Sequence, residues 1–197
     1  MRLSAHTLGG EGFLVPDILH ARDNLAFVAL ESADPPLTGS GELSGPEIER
    51  FLAPMRDALN ENAGTTEYAS SETGFHWCGA FVYYCCLGAG FTFSPKPIPD
   101  FRYTLGAVPA WQNWAERSPD IEILPASGVP LRGDIAIFDA MLSEHPLDHI
   151  GVVLDCTAAW FITAEGNVSN STRVGPRNLP GNVHSFLRFH SLNPSAA

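Results

Sequence analysis

A chain of 197 residues with 45% hydrophobic and 17% charged side chains is long enough to bury one core without disulfides or metals, and its composition excludes a disordered chain. Its 22 acidic side chains against 11 basic ones leave a formal charge of -11, a field that repels nucleic acid and anionic lipid headgroups. The first residues, MRLSAHTLGGEGFLVPDILHARD, have neither the charged n-region nor the unbroken apolar stretch of a secretory signal. No segment is long and apolar enough to span a bilayer as a helix. We therefore expect a product made in the cytoplasm, with Cys78, Cys85, Cys86 and Cys156 as reduced thiols rather than a disulfide framework. No CxxC pair or second Cys/His cluster supports a structural zinc site.

In chain order, residues 1 to 44 hold a short apolar stretch, Leu25 to Leu30, and the turn-rich PPLTGSGELSG. From Pro46, the spacing of Ile48, Leu52, Met55 and Leu59 predicts a helix that Pro54 should kink or split and that Asn62 and Gly64 end. The polar TTEYASSETGFHW runs directly into CGAFVYYCCLGAG, apolar on every side, which predicts a buried helix starting at Cys78 and closing at Gly88 and Gly90. A proline-rich loop and a short helix around Trp111 to Arg117 follow. Beyond residue 121 the period changes: IEILP, GDIAIFD, HIGVVLD, AWFITAEGN and HSFLRFH read as strands of an antiparallel sheet. Helices first and strands second predict an α+β layer fold, with a helix packed against a curled sheet.

Cys78 sits where a polar loop meets the first turn of a buried helix. Unpaired N–H groups and the positive end of the helix dipole favour a thiolate there, and the same N–H groups can hold an oxyanion. A buried apolar cysteine is the competing reading. His149 opens the strand HIGVVLD, and alternation places it on one face with Gly151 and Val153. A glycine beside it leaves room for another element, such as the helix bearing Cys78, to approach. The competing reading is a surface histidine at a strand end. On the next strand Glu165 and Asn167 point the same way, and either can accept from the imidazole Nδ1–H and turn the other nitrogen towards the thiol. Alternatively, Glu165 is an edge charge and Asn167 a turn residue in NVSNS.

In order and spacing, HWCGAFVYYC, PLRGDIAIFD, DHIGVVLD and TAEGN resemble the CHAP and NlpC/P60 families of papain-like amidases and peptidases. In those families a Cys-Ser/Ala/Gly-x-Phe-Val element opens a buried helix, a Gly-Asp strand follows, and the catalytic histidine starts the next strand. Cys78, Asp134 and His149 fall at the matching positions, and the Glu and Asn common in CHAP members fall on Glu165 and Asn167. NlpC/P60 proteins with a second histidine differ here. The resemblance implies a papain-like, NlpC/P60-type α+β fold, with residues 45–197 as the catalytic domain and residues 1–44 as an N-terminal extension packed on it.

The implied activity is hydrolysis of an amide bond in peptidoglycan through a thioester. Cys78 is the nucleophile, His149 the base, and Glu165 or Asn167 the orienting group; no cofactor enters. No Asp-rich run precedes the cysteine, so no metal is expected. Tyr68 reads as structural, and Pro146 argues against the Glu144, His145, Asp148 and His149 group as a metal site. A chain without an export signal would reach the cell wall through a holin or a secretion machine. Three other readings stay open: a thiol acyltransferase, a cytoplasmic protease, and a non-catalytic binding module on the same fold.

Overall fold

The computed structural model describes residues 18–157 and 159–196, so of the N-terminal extension only residues 18–44 are covered. Among the described residues the helices are α1 (Ile18–Ala33), α2 (Glu49–Ala63), α3 (Cys78–Gly88) and α4 (Val108–Arg117). The strands are β1 (Ile121–Pro125), β2 (Ile135–Phe138), β3 (His149–Cys156), β4 (Trp160–Val168), β5 (Ser171–Asn178) and β6 (Val183–Phe189). The strands form one sheet in the order β1-β6-β2-β3-β4-β5, with every neighbouring pair antiparallel. This is the expected α+β architecture, helices first and an antiparallel sheet second.

Both faces of the sheet are apolar, which explains why GDIAIF and HIGVVL are nearly continuous hydrophobic runs. Ile135, Ile137, Ile150, Val152 and Ala164 face the helices and join Leu25, Phe51, Phe81 and Trp111 in the main core. On the other face Ala136, Phe138, Val153, Phe161 and Phe186 form a second, smaller cluster. That cluster requires curvature. Phe161 on β4 and Phe186 on β6 are three strand spacings apart, roughly 14 Å in a flat sheet, yet their ring centroids are 5.3 Å apart. Register shifts in the β2–β6, β3–β4 and β4–β5 pairings supply the bending that such irregularities impose on a sheet.

The helix α3 is buried from Cys78 to Cys86 apart from the half-buried Tyr84, wedged between α1, α2 and strands β3 and β4. The apolar stretch Leu25 to Leu30 turns out to be part of α1. Its buried face is built largely from Ala21, Ala26, Ala29 and Ala33 around Leu25, small residues that let the helix lie close to the core. The helix α2 is continuous through Pro54 rather than split by it; burial of Phe51, Leu52 and Met55 on either side offsets the hydrogen bond that proline removes. Gly64 ends α2 in the left-handed conformation (φ 64).

The strand β5, STRVGPRN, is an addition to the strands expected from the sequence. It lies at the sheet edge, where Pro176 costs no ladder bond. Residues 37–39 cover its start. Leu37 and Thr172 exchange bonds of 2.8 Å, and the Gly39 N–H donates to the Asn170 carbonyl at 2.9 Å.

Asp134, matched to the Gly-Asp strand of the resembled families, is fully buried in the framework. Arg188 grips it with two bonds of 3.1 and 2.8 Å, and Arg22 of α1 reaches it at 3.1 Å. The Leu131 N–H donates to its Oδ2 at 2.7 Å. The pair ties α1 to the sheet.

Candidate active site

Cys78 is the first residue of α3, and no side chain caps that helix. The Phe81 N–H is the one that closes back onto the Trp77 carbonyl, at 2.9 Å. The N–H groups of Cys78, Gly79 and Ala80 therefore have no partner within the helix. The entry to the helix is fixed by Trp77, fully buried. Its indole stacks on Phe51 (centroids 5.7 Å, 8° between planes) and donates to Asn170 Oδ1 at 3.3 Å. The nucleophile candidate is thus held on a rigid element.

His149, at the start of β3, is fully buried. Its Nε2–H donates to Glu165 Oε2 at 2.9 Å. Nδ1 makes no hydrogen bond of regular geometry, and the Cys78 thiol is within interaction range of the ring. The assignment of nitrogens is the reverse of that expected, since the acceptor takes Nε2 and leaves Nδ1 for the sulfur. The choice follows from the rotation of the ring about χ2, a soft two-fold torsion on which the sequence carries no information.

Gly151 also has a different task from the expected one. A Cβ on it would lie 2.6 Å from Glu165 Cγ, so this glycine makes room for the carboxylate arm. The helix α3 packs on the opposite face, where Gly166 admits it: a Cβ there would lie 2.4 Å from Phe81 Cβ and 2.8 Å from Trp77 Cζ3. Parity decides, because Gly151 shares its face with His149 and Glu165, whereas Gly166 points the other way.

Glu165 is itself held from three sides. Besides His149, the Arg177 guanidinium donates through Nε to Oε1 at 2.8 Å and through Nη2 to Oε2, and the Thr163 hydroxyl donates to Oε1. The Arg177 guanidinium also lies over the Phe138 ring at 5.6 Å, and that ring stacks against His149 at 6.0 Å. None of Arg177, Thr163 and Phe138 stood out in the sequence. Arg177 comes from β5, whose Gly-Pro pair hides the strand pattern.

Residues 70–167 match the family model described as CHAP domain. This chain carries a CHAP domain. No curated protein matches the chain in sequence. A solved structure described as "The crystal structure of Ly7917" is similar at 13% identity and a TM-score of 0.40, over 87% of this chain and 62% of that one. The chain thus spans less than two thirds of that structure's length. The matched segment points to a hydrolase domain of the cysteine amidase or peptidase type. Cys78, His149, Glu165 and Asn167 all lie inside the matched CHAP segment, whereas Arg177 lies beyond it.

The charges of the CHAP site follow from its contacts. Burial on its own depresses the His149 pKa, but the hydrogen bonds and charges of Cys78 and Glu165 outweigh it and hold the imidazolium up to about 9. Burial pushes Glu165 up; His149 and Arg177 outweigh this and hold its carboxyl down at about 2. Burial also pushes the thiols of Cys85 and Cys86 far up, as suits packing residues. Cys156, whose thiol donates to the Pro130 carbonyl at 2.8 Å, is raised by burial and by the carboxylates of Asp155 and Asp134.

Asn167 is not on the imidazole. It sits at the β4–β5 irregularity with φ 63, and its Nδ2 donates to His76 Nδ1 at 3.4 Å. His76 was not singled out in the sequence, although it stands two residues before Cys78.

Together with Cys78, His76 lines a cleft of about 570 Å³ between the segments 103–109 and 142–148, walled by Tyr103, Val108, Leu142 and His145. Asp148 shapes one wall by accepting the N–H groups of Met141, Leu142 and Ser143 at 2.9, 2.9 and 2.6 Å. Its carboxylate is a turn-builder. Among the described residues no cluster of three or more His, Cys, Asp or Glu is placed to hold a metal. Tyr68 packs its ring on Phe75.

Proposed function

We propose that the chain is a cysteine amidohydrolase of papain-like, NlpC/P60-type arrangement that cleaves an amide bond of peptidoglycan through a thioester. The observation that carries this reading is a free thiol at an uncapped helix N-terminus beside an imidazole whose far nitrogen is held by a buried carboxylate. His149 Nδ1 takes the Cys78 proton, and the thiolate attacks the amide carbonyl from the cleft. The oxyanion that forms is stabilised by the unpaired N–H groups at the head of α3. The imidazolium then protonates the leaving amine, and the C–N bond breaks to leave the thioester. Water, deprotonated by His149, attacks the thioester and releases the acid and the thiol.

Glu165 is the orienting partner in this scheme, and Asn167 acts at the cleft through His76. The apolar lining of the cleft suits a neutral stretch of peptide rather than a highly charged one. Delivery to the wall, by holin-dependent release or by a secretion machine, belongs to the same proposal.

Digestion of purified peptidoglycan by the wild type and by Cys78→Ala, with mass analysis of the fragments, tests the reading. The wild type should release fragments gaining one water per cut. Their masses separate cleavage between sugar and stem peptide from cleavage within the peptide, and Cys78→Ala should release none of them. Identical profiles from the two proteins would overturn the proposal.

A further inference from the structure

We infer that Arg177 is a positioning residue for the proposed hydrolysis, its guanidinium fork fixing the carboxylate that in turn fixes His149 with Nδ1 towards Cys78. The inference rests on the reading above for the reaction itself; its geometry stands independently. The fork closes on both Glu165 oxygens, and Oε2 is shared between Arg177 Nη2 and His149 Nε2. The arginine therefore sets the position of the very oxygen the imidazole uses.

Glu165 is 1% exposed and Arg177 17%, so the interaction is shielded from water. A buried carboxylate facing only a neutral imidazole would be costly to keep ionised. With Arg177 in place, Glu165 stays ionised both before and after His149 takes its proton. Each of the groups that meet Glu165 comes from a known element: His149 from β3, Thr163 from β4 and Arg177 from β5. Arg173, opposite Glu165 in the register, is exposed, and Cys78 is the other ionisable group on the imidazole.

A lysine does not reproduce this arrangement. Its ammonium is a single point charge, whereas the planar guanidinium presents two parallel donors that fix the carboxylate plane. The edge strand also gives access. Arg177, Phe138, Met141 and Asn178 line a cavity of about 230 Å³, wide enough for a free guanidinium ion to enter where the side chain has been removed.

The test compares the wild type with Arg177→Met, Arg177→Lys and Arg177→Gly. It measures kcat and KM on peptidoglycan fragments and the Glu165 titration by carboxyl carbon NMR. In Arg177→Met, kcat should fall about 10–100-fold, the range typical of groups that orient a site residue, with little change in KM. The Glu165 midpoint should rise from about 2 into the ordinary carboxylate range. Arg177→Lys should restore the charge without restoring kcat, and added guanidinium ion should raise the kcat of Arg177→Gly.

Wild-type kcat and an unmoved Glu165 midpoint in Arg177→Met would overturn the inference. If the Met variant does not fold, wild-type kcat in Arg177→Lys overturns it equally. A wild type that cuts no peptidoglycan would end the proposed activity instead, while the Glu165 midpoint still decides the role of Arg177.

Discussion

Exchanging Glu165 for Gln is expected to lower kcat by about 10²–10⁴-fold with the fold retained, the scale seen when the partner of a catalytic imidazole loses its charge. The reason lies in the donors around it. Two carboxylate oxygens accept from His149 Nε2, from Arg177 Nε and Nη2, and from the Thr163 hydroxyl. A glutamine has one oxygen and one NH₂, so its NH₂ faces a guanidinium N–H in either orientation and, in place of Oε2, the imidazole as well. Facing the imidazole, it turns His149 into the Nδ1–H tautomer, which cannot take the Cys78 proton.

The pH profile should move as well. In the wild type the raised His149 pKa keeps the imidazolium available until the pH passes about 9, so the basic limb of turnover falls there. Without the Glu165 charge that pKa drops, and the basic limb begins at lower pH. Steady-state kinetics across pH, with the tautomer read from imidazole nitrogen shifts, check both points. A Gln variant with wild-type kcat and an unmoved limb would remove Glu165 from the mechanism.

The second large effect concerns stability. Asp134→Ala should destabilise the chain by about 3–5 kcal/mol, the cost typical of leaving buried charges without their partner. Arg22, 7% exposed, would lose its carboxylate, and Arg188, 14% exposed, would keep only the partly exposed Glu122 at 3.6 Å. The Arg22 Nε is already buried without a partner, so α1 has little to fall back on. For a chain of this size the change corresponds to a fall in Tm on the order of 10 °C. Urea and thermal unfolding of the variant measure it, and a loss below about 1 kcal/mol, the scale of an exposed ion pair, would show that the cluster does not clamp α1 to the sheet.

Much of the frame that carries the site was legible in the residues. The switch from polar to all-apolar at Cys78 marks the start of α3 because an element buried over most of its length leaves no polar stripe. His149 opening β3 follows from the same kind of boundary. What escaped was set by tertiary packing. The alanine-rich buried face of α1 gives little amphipathic contrast, and Phe27, exposed on the outside, blurs the rest. Gly175-Pro176 breaks the pattern of β5, which hid Arg177 along with its strand. The sequence reading gave Gly151 the task of admitting the helix, a task that falls to Gly166, since only the stacking of layers decides which face a helix covers. Asn167 and Glu165 share strand parity, but the positive φ at Asn167 turns its side chain to His76.

The most direct measurement is the titration of His149, followed by imidazole NMR in the wild type and in Cys78→Ala. Both Cys78 and Glu165 raise the wild-type midpoint to about 9. With the sulfur removed and Glu165 still bound to Nε2, the midpoint should fall. The same midpoint in both proteins would mean that the sulfur does not reach the ring, contradicting a nucleophile and base that work as a pair.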